Sequence, residues 1–145
     1  MGQKHVLTVS GRYDEIKTIC QFVKQGADEV GLDETAVFHI ELACDEACTN
    51  VIEHAYGGEN VGDITVTWQV VGDMFVITVN DNGRSFNLNQ IPPVPNTENI
   101  ENVKIGGLGI HFMRSLMDEV DFDVDTQTGN RLVMKKKLTT ARGQA

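Results

Sequence analysis

Two runs of β-branched and aromatic residues, "DITVTWQVV" at 63–71 and "MFVITVN" at 74–80, are separated only by Gly72 and Asp73. Such runs favour strands. A two-residue Gly-Asp junction is a tight hairpin turn, which forces the two strands antiparallel. This constrains the chain more than any other feature, because an antiparallel pair in mid-sequence is incompatible with strict βαβ alternation. A second hairpin is expected near the end. Val120, Phe122 and Val124 alternate with Asp121, Asp123 and Asp125, "TGN" at 128–130 turns the chain, and "RLVMKKKL" follows as a last strand.

The remaining elements fit around these hairpins. "KHVLTV" at 4–9 reads as a first strand. Ile16, Ile19, Cys20, Val23, Ala27 and Val30 form one stripe of a helix over 13–30, which Gly31 ends. A second helix is expected over 34–56, with Asp33 as N-cap, Leu32 and Val37 as a hydrophobic staple, and Gly57-Gly58 as its stop. Its apolar stripe is Ile40, Ala43, Cys44, Ala47, Cys48 and Val51. A third helix opens at "GGLG", 106–109, and runs to about 119. The order β-α-α-β-β-loop-α-β-β predicts an α/β (α+β) two-layer sandwich. Its sheet is mixed and mostly antiparallel, with three helices on one face, and 1–145 reads as one domain. The tail at 139–145 is expected to fray.

Composition excludes several classes. The net charge of −9 argues against a coat for nucleic acid or anionic lipid and is compatible with a basic protein partner. No apolar run is long enough to span a membrane, and the N-terminus lacks the apolar region of a signal peptide. An odd count of 3 cysteines without an export signal points to free thiols in a reducing cytoplasm. Cys44 and Cys48 are four apart on a helix. With no CxxC or HExxH pattern beside them, they read as core thiols rather than metal ligands.

Three stretches could carry chemistry. In "ACDEACTNVIEHAY", 43–56, Glu46, Asn50 and His54 fall on one helix face. Asn50 offers a neutral oxygen of the kind Mg²⁺ accepts alongside phosphate and water, and Glu46 could take a proton during attack on a terminal phosphate. Taken alone, a polar stripe facing solvent is the commoner explanation. In "NDNGRSF", 80–86, Asp81 could accept from the exocyclic amine of adenine, and Gly83 could let the base approach the backbone. Asn-Gly after a strand is equally a hairpin signal. In "GGLGI", Gly106, Gly107, Leu108, Gly109 and Ile110 begin a helix whose free N–H groups suit phosphate, or form the hinge of a lid. The polar, proline-containing run 87–105 is too long for an ordinary connection.

Together and in this order, the three resemble the Bergerat-fold ATPases, the superfamily of DNA gyrase and the histidine kinases. "DEACTNVIEHAY" is similar to the N-box, "DNGRSF" to the first glycine box and "GGLGI" to the second. Within that superfamily the chain most resembles, over about residues 5 to 138, the bacterial anti-sigma-factor serine/threonine kinases. The resemblance implies that ATP and Mg²⁺ are the cofactors, Glu46 the catalytic base, Asn50 the Mg²⁺ ligand and Asp81 the reader of adenine. It also implies that Gly83 and Phe86 lie in the first box by the base, and that Gly107 and Gly109 flank the phosphates beneath a lid at 87–105. Arg84 and Lys104 are the nearest candidates for stabilising transferred charge. His54 and Tyr56 match the motif without an assigned role. The implied partners are a STAS-domain antagonist, phosphorylated on serine or threonine, and a sigma factor that the kinase sequesters. Family members commonly act as dimers. The alternative is an ATP-binding module that holds partners without phosphotransfer. The ATPase domain of a larger machine is a further reading, opposed by the lack of a phosphoacceptor-histidine hairpin before residue 13 and of a transducer domain after 138.

Overall fold

The structure, a computed structural model, describes residues 3–84, 107–125 and 129–138. It contains strand β1 (His5–Ser10), a 3-10 turn (Tyr13–Glu15), helix α1 (Ile16–Glu29) and helix α2 (Glu34–Asn50), which passes into a wider π-helical segment (Val51–Tyr56). Strands β2 (Asp63–Val71) and β3 (Met74–Asp81), helix α3 (Gly107–Leu116) and strands β4 (Glu119–Asp125) and β5 (Gly129–Lys137) complete it.

The local signals act as expected. Asp33 caps α2, its carboxylate accepting from the Ala36 N–H at 2.8 Å. Both residues of the anticipated staple, Leu32 and Val37, are buried. Gly57 ends the helical run in the left-handed region at φ 71°. Gly72 takes φ 62° in the two-residue turn between β2 and β3, as a turn matched to the strand twist requires.

The strands form one sheet in the order β1-β2-β3-β5-β4. All four pairings among the described residues are antiparallel, so the expected antiparallel character is present throughout. Register places Val9, Ile64 and Asp81 in one row with Asn130. It places Leu7, Val66, Val79, Leu132 and Phe122 in the next, and Trp68, Ile77, Met134 and Val120 in the third. Direct partners share a face. This face is apolar across its middle, with Asp81 and Asn130 meeting at one end, His5 beside Trp68 at the edge and Lys136 opposite Phe75 at the other end. It packs on Ile19 and Val23 of α1, Ile40 and Cys44 of α2, Ile52 beyond it and Met113 of α3, all in one hydrophobic cluster. Fully burying each such aliphatic chain is worth about 1.5–3 kcal/mol.

Trp68 shows how tightly the layers meet. Its indole stacks on the His5 ring at 3.9 Å, and a Cβ on Gly26 of α1 would overlap it. Cys44 and Cys48 are fully buried in the same core, and burial pushes the Cys44 thiol well above its ordinary range. No described helix is long and apolar enough to cross a membrane.

Candidate functional site

The apolar stripe of α2 turns Ala43, Cys44, Ala47 and Cys48 toward the sheet, so residues offset by half a turn flank the core rather than join it. Glu46 is half-buried there, and Asn50 is only 2% exposed. The amide nitrogen of Asn50 makes no close hydrogen bond, and the Glu46 carboxylate is the group it influences. A buried amide with an unused donor is left open to an acceptor supplied by water or a ligand. Its placement one turn after Glu46 therefore calls for a reason outside packing. The unused atom is a donor and calls for an acceptor such as a phosphate oxygen or water, while the oxygen of the same amide is of the kind a hard cation takes alongside water and phosphate. Among the described residues no cluster of three His, Cys, Asp or Glu could hold a metal alone. A metal at Asn50 would arrive with the phosphates rather than be caged by protein.

Glu46 has its carboxyl raised above the usual range. Burial is the main cause, and the negative charges of Asp45 and Glu53 add to it. Hydrogen bonding from the Asn50 side chain works in the opposite direction. The neighbouring acids thus contribute, but desolvation dominates. A carboxyl shifted upward is a stronger base once ionised.

The π-helical segment after Asn50 is absent from any sequence signal. It widens the helix immediately beyond the amide. Two carbonyls near its end are taken by the first glycine box: the Ala55 carbonyl accepts from the Arg84 N–H at 2.9 Å and the His54 carbonyl from Arg84 Nε at 3.0 Å. Arg84, expected near transferred phosphate, is therefore engaged at the helix terminus, where a cation is favoured. Gly83 lies between these contacts. A Cβ there would sit 2.5 Å from the Ala55 carbonyl oxygen and 2.7 Å from the Ala55 Cβ. Close backbone approach does require this glycine, but the neighbour seen is the helix end.

Tyr56, which had no assigned role, joins the same junction. Its hydroxyl donates to the Asp63 carbonyl at 2.5 Å and accepts from the Asn82 N–H at 3.0 Å. Its ring lies over Gly11 and Gly62, where a Cβ at Gly62 would come within 2.6 Å of it.

Asp81 closes β3 and is 3% exposed. Its Oδ1 accepts from the Gly83 N–H at 2.8 Å and from Asn130 Nδ2 at 2.8 Å. Burial pushes this carboxyl up, while Asn130 and the Gly83 N–H hold it down. Asn130 was read only as part of a turn. It lies in β5 directly opposite Asp81, and its Nδ2 also donates to the Arg84 carbonyl at 3.0 Å. No local pattern marks it, because its partners lie 46 and 49 residues away. Asn-Gly at 82–83 follows β3 as an Asx-type turn on Asp81, and β3 pairs with β2 and β5, so the hairpin alternative does not apply.

Gly107 and Gly109 lie in the first turn of α3, together with the backbone of Leu108 and Ile110. Phe86, Lys104, Gly106 and the expected lid at 87–105 lie outside the described residues.

An acid and an amide thus lie one turn apart on α2, a buried aspartate is held at the end of β3, and glycines open α3. Residues 9–136 match the family described as "Histidine kinase-like ATPase domain", and the chain belongs to it. It is similar to the serine-protein kinase RsbW of Listeria innocua, 37% identical over 116 residues spanning 77% of this chain and 73% of that protein. It is also similar to the RsbW of Bacillus velezensis, 33% identical over 120 residues spanning 80% and 74%. Among solved structures, the RsbU and RsbW domains of Rv1364c from Mycobacterium tuberculosis share the fold, with a TM-score of 0.67 at 18% identity. That match covers 94% of this chain and 32% of the larger one.

Proposed function

We propose that this protein is an ATP-dependent serine/threonine protein kinase that phosphorylates a STAS-domain anti-sigma-factor antagonist and, when the antagonist is phosphorylated and released, sequesters a sigma factor. The observation that carries the reading is the pairing of half-buried Glu46 with buried, incompletely bonded Asn50 on one face of α2, in a chain whose relatives are serine-protein kinases. The site would work in the cytoplasm and within a homodimer.

Asp81, fixed as an acceptor, takes the N–H of the adenine 6-amino group and sets the register of the nucleotide. Asn50 would hold Mg²⁺ through its side-chain oxygen. The ion, when bound, offsets phosphate charge, which matters in a chain of net charge −9. The N-terminal turn of α3 directs its free N–H groups at the phosphates. The serine or threonine oxygen of the antagonist forms a bond to the γ-phosphorus while the bond to the β–γ bridging oxygen breaks. ADP leaves with that electron pair, and the hydroxyl proton passes to a Glu46 carboxylate oxygen. Glu46 must be ionised for this step.

The direct test is incubation with ATP labelled in the γ-phosphate, Mg²⁺ and the STAS proteins encoded beside this gene. Label on a serine or threonine of one of them is expected. Glu46→Ala should abolish label transfer while ATP still binds. If partner regulation persists unchanged in Glu46→Ala, the chain is a binding module and phosphotransfer is not its function.

A further inference from the structure

We infer that Lys136 is a positioning residue: its ammonium fixes the C-terminal end of α3 against β5 and α2, and thereby aims the glycine-opened N-terminal end of α3 at the phosphates of the nucleotide. The inference rests on the reading that this N-terminal end meets phosphate, and it adds a residue at the far end of the same helix.

Lys136 breaks the pattern of its strand. Side chains two apart on a strand share a face, and Leu132 and Met134 are buried on the face that packs against the helices. Lys136 continues that series, half-buried and opposite the fully buried Phe75. A lysine turned toward a helix layer loses hydration and needs a partner there. Among the described residues no carboxylate pairs with it. Its Nζ instead donates to the Leu116 carbonyl at 2.5 Å and lies 3.5 Å from His39 Nδ1. Leu116 is the last residue of α3. The carbonyls of a last turn lack intrahelical donors and carry the negative pole of the helix. An ammonium only donates, so the His39 nitrogen facing it accepts from a neutral ring. His39 precedes Glu46 by seven residues on α2, two turns along the same face. One side chain of β5 thus ties the end of α3 to the helix that carries Glu46 and Asn50.

The other contacts at this end do not replace the ammonium. The Lys135 carbonyl accepts from the Asp118 N–H at 2.9 Å, and the Lys137 N–H donates to Asp118 Oδ2 at 2.6 Å. Both hold the chain beyond the helix. Met113 and Leu116 bury in the core, but apolar contact is non-directional and leaves the tilt of the helix to its polar anchor. The helix has 10 residues, a rod of about 15 Å, so a tilt of about 4° at the anchored end moves the first turn by about 1 Å. That displacement spoils N–H···O bonds, whose useful range is about 2.7–3.2 Å. Asp81 closes β3 and stands apart from this anchor. Loss of the ammonium therefore reaches the phosphates and not the base.

The test compares Lys136→Met, which keeps the stem and removes the charge, with Lys136→Arg, which keeps a cationic donor. Titrations followed by nuclear magnetic resonance measure the dissociation constants of ATP with Mg²⁺ and of adenosine, which has the base and no phosphate, for the wild-type protein and both variants. Lys136→Met should weaken ATP about tenfold and leave adenosine within about twofold, a coupling of the size a single residue remote from the ligand carries. Lys136→Arg should recover most of the ATP affinity. Unchanged ATP affinity in Lys136→Met, equal losses for ATP and adenosine, or an arginine variant as weak as the methionine one overturns the inference. Equal losses would mean a general loosening of the fold. A wild-type protein that binds ATP no more tightly than adenosine overturns instead the underlying reading that α3 meets phosphate. Should Lys136→Met not fold, Lys136→Gln, whose neutral end is too short to reach the Leu116 carbonyl, takes its place in the same comparison.

Discussion

Replacing Gly83 by Ala separates two explanations of the first glycine box. If the glycine serves only to let a base approach, the variant loses ATP and keeps its stability. The structure predicts a different outcome. The added methyl would lie 2.5 Å from the Ala55 carbonyl oxygen, 2.6 Å from the Ala55 carbonyl carbon and 2.7 Å from its Cβ. Two of these are backbone atoms of the π-helical segment and cannot yield by changing rotamer. The box must instead lift from the helix end. Overpacking of this kind costs about 1–3 kcal/mol. Lifting also strains the Arg84 N–H bond to Ala55 at 2.9 Å and the Arg84 Nε bond to His54 at 3.0 Å, each worth about 1 kcal/mol net and less where water can replace it. The expected loss is therefore about 2–4 kcal/mol, against a total of about 5–15 kcal/mol for a domain of ordinary stability. Gly83 does not have a positive φ, so none of this loss is conformational strain in the alanine itself. Urea denaturation followed by the fluorescence of Trp68, the only tryptophan, measures it. Because the Gly83 N–H also donates to Asp81, ATP affinity should fall together with stability. A Gly83→Ala protein within about 0.5 kcal/mol of wild type, inside the scatter of ordinary surface changes, would refute the docking argument.

Further expectations concern the neighbouring groups. Tyr56→Phe removes one hydroxyl with two bonds and should cost about 1–3 kcal/mol in the same urea measurement, since both the Asp63 carbonyl and the Asn82 N–H lose a partner. Glu46→Gln should slow phosphoryl transfer by about 10²–10⁴-fold, the usual contribution of a general base, with ATP affinity measured by calorimetry nearly unchanged. In the wild-type enzyme the transfer rate should fall as the pH drops toward the raised pKa of Glu46, because a protonated carboxyl cannot take the acceptor proton. The stability effect of the same group has the opposite sense. A carboxyl whose folded pKa lies above its unfolded value binds more protons when folded, so stability falls as pH rises from the unfolded pKa through the folded one. Glu46→Gln should therefore be more stable than wild type at neutral pH, with the difference shrinking on acidification. A difference that grows on acidification contradicts the burial argument.

The sequence by itself determined most elements that depend on neighbours a few residues apart, the π-helical segment Val51–Tyr56 excepted. The Gly72-Asp73 turn, the Asp33 cap, the stop at Gly57 and the stripe of α2 are all written at spacings of two to four residues, and each appears where expected. The antiparallel pairing of β2 with β3 followed because a two-residue turn leaves no other geometry, whereas the pairings of β1 with β2 and of β3 with β5 came with the tertiary structure. The pairing of Glu46 with Asn50 was legible for the same reason, since i and i+4 meet on any helix. Boundaries moved where tertiary contacts intervene: Asn130 belongs to β5 rather than to a turn, because β5 pairs with β3 as far as Asp81. Only the tertiary structure decided what holds Asp81, why Gly83 must be glycine, where Arg84 is tied and what Tyr56 clamps. These are pairings between groups 7 to 49 residues apart, and no local periodicity encodes which distant partner a polar side chain will meet. The chemistry-bearing residues lay in view along the chain, while their orientation came from chain segments that meet only once the sheet has formed.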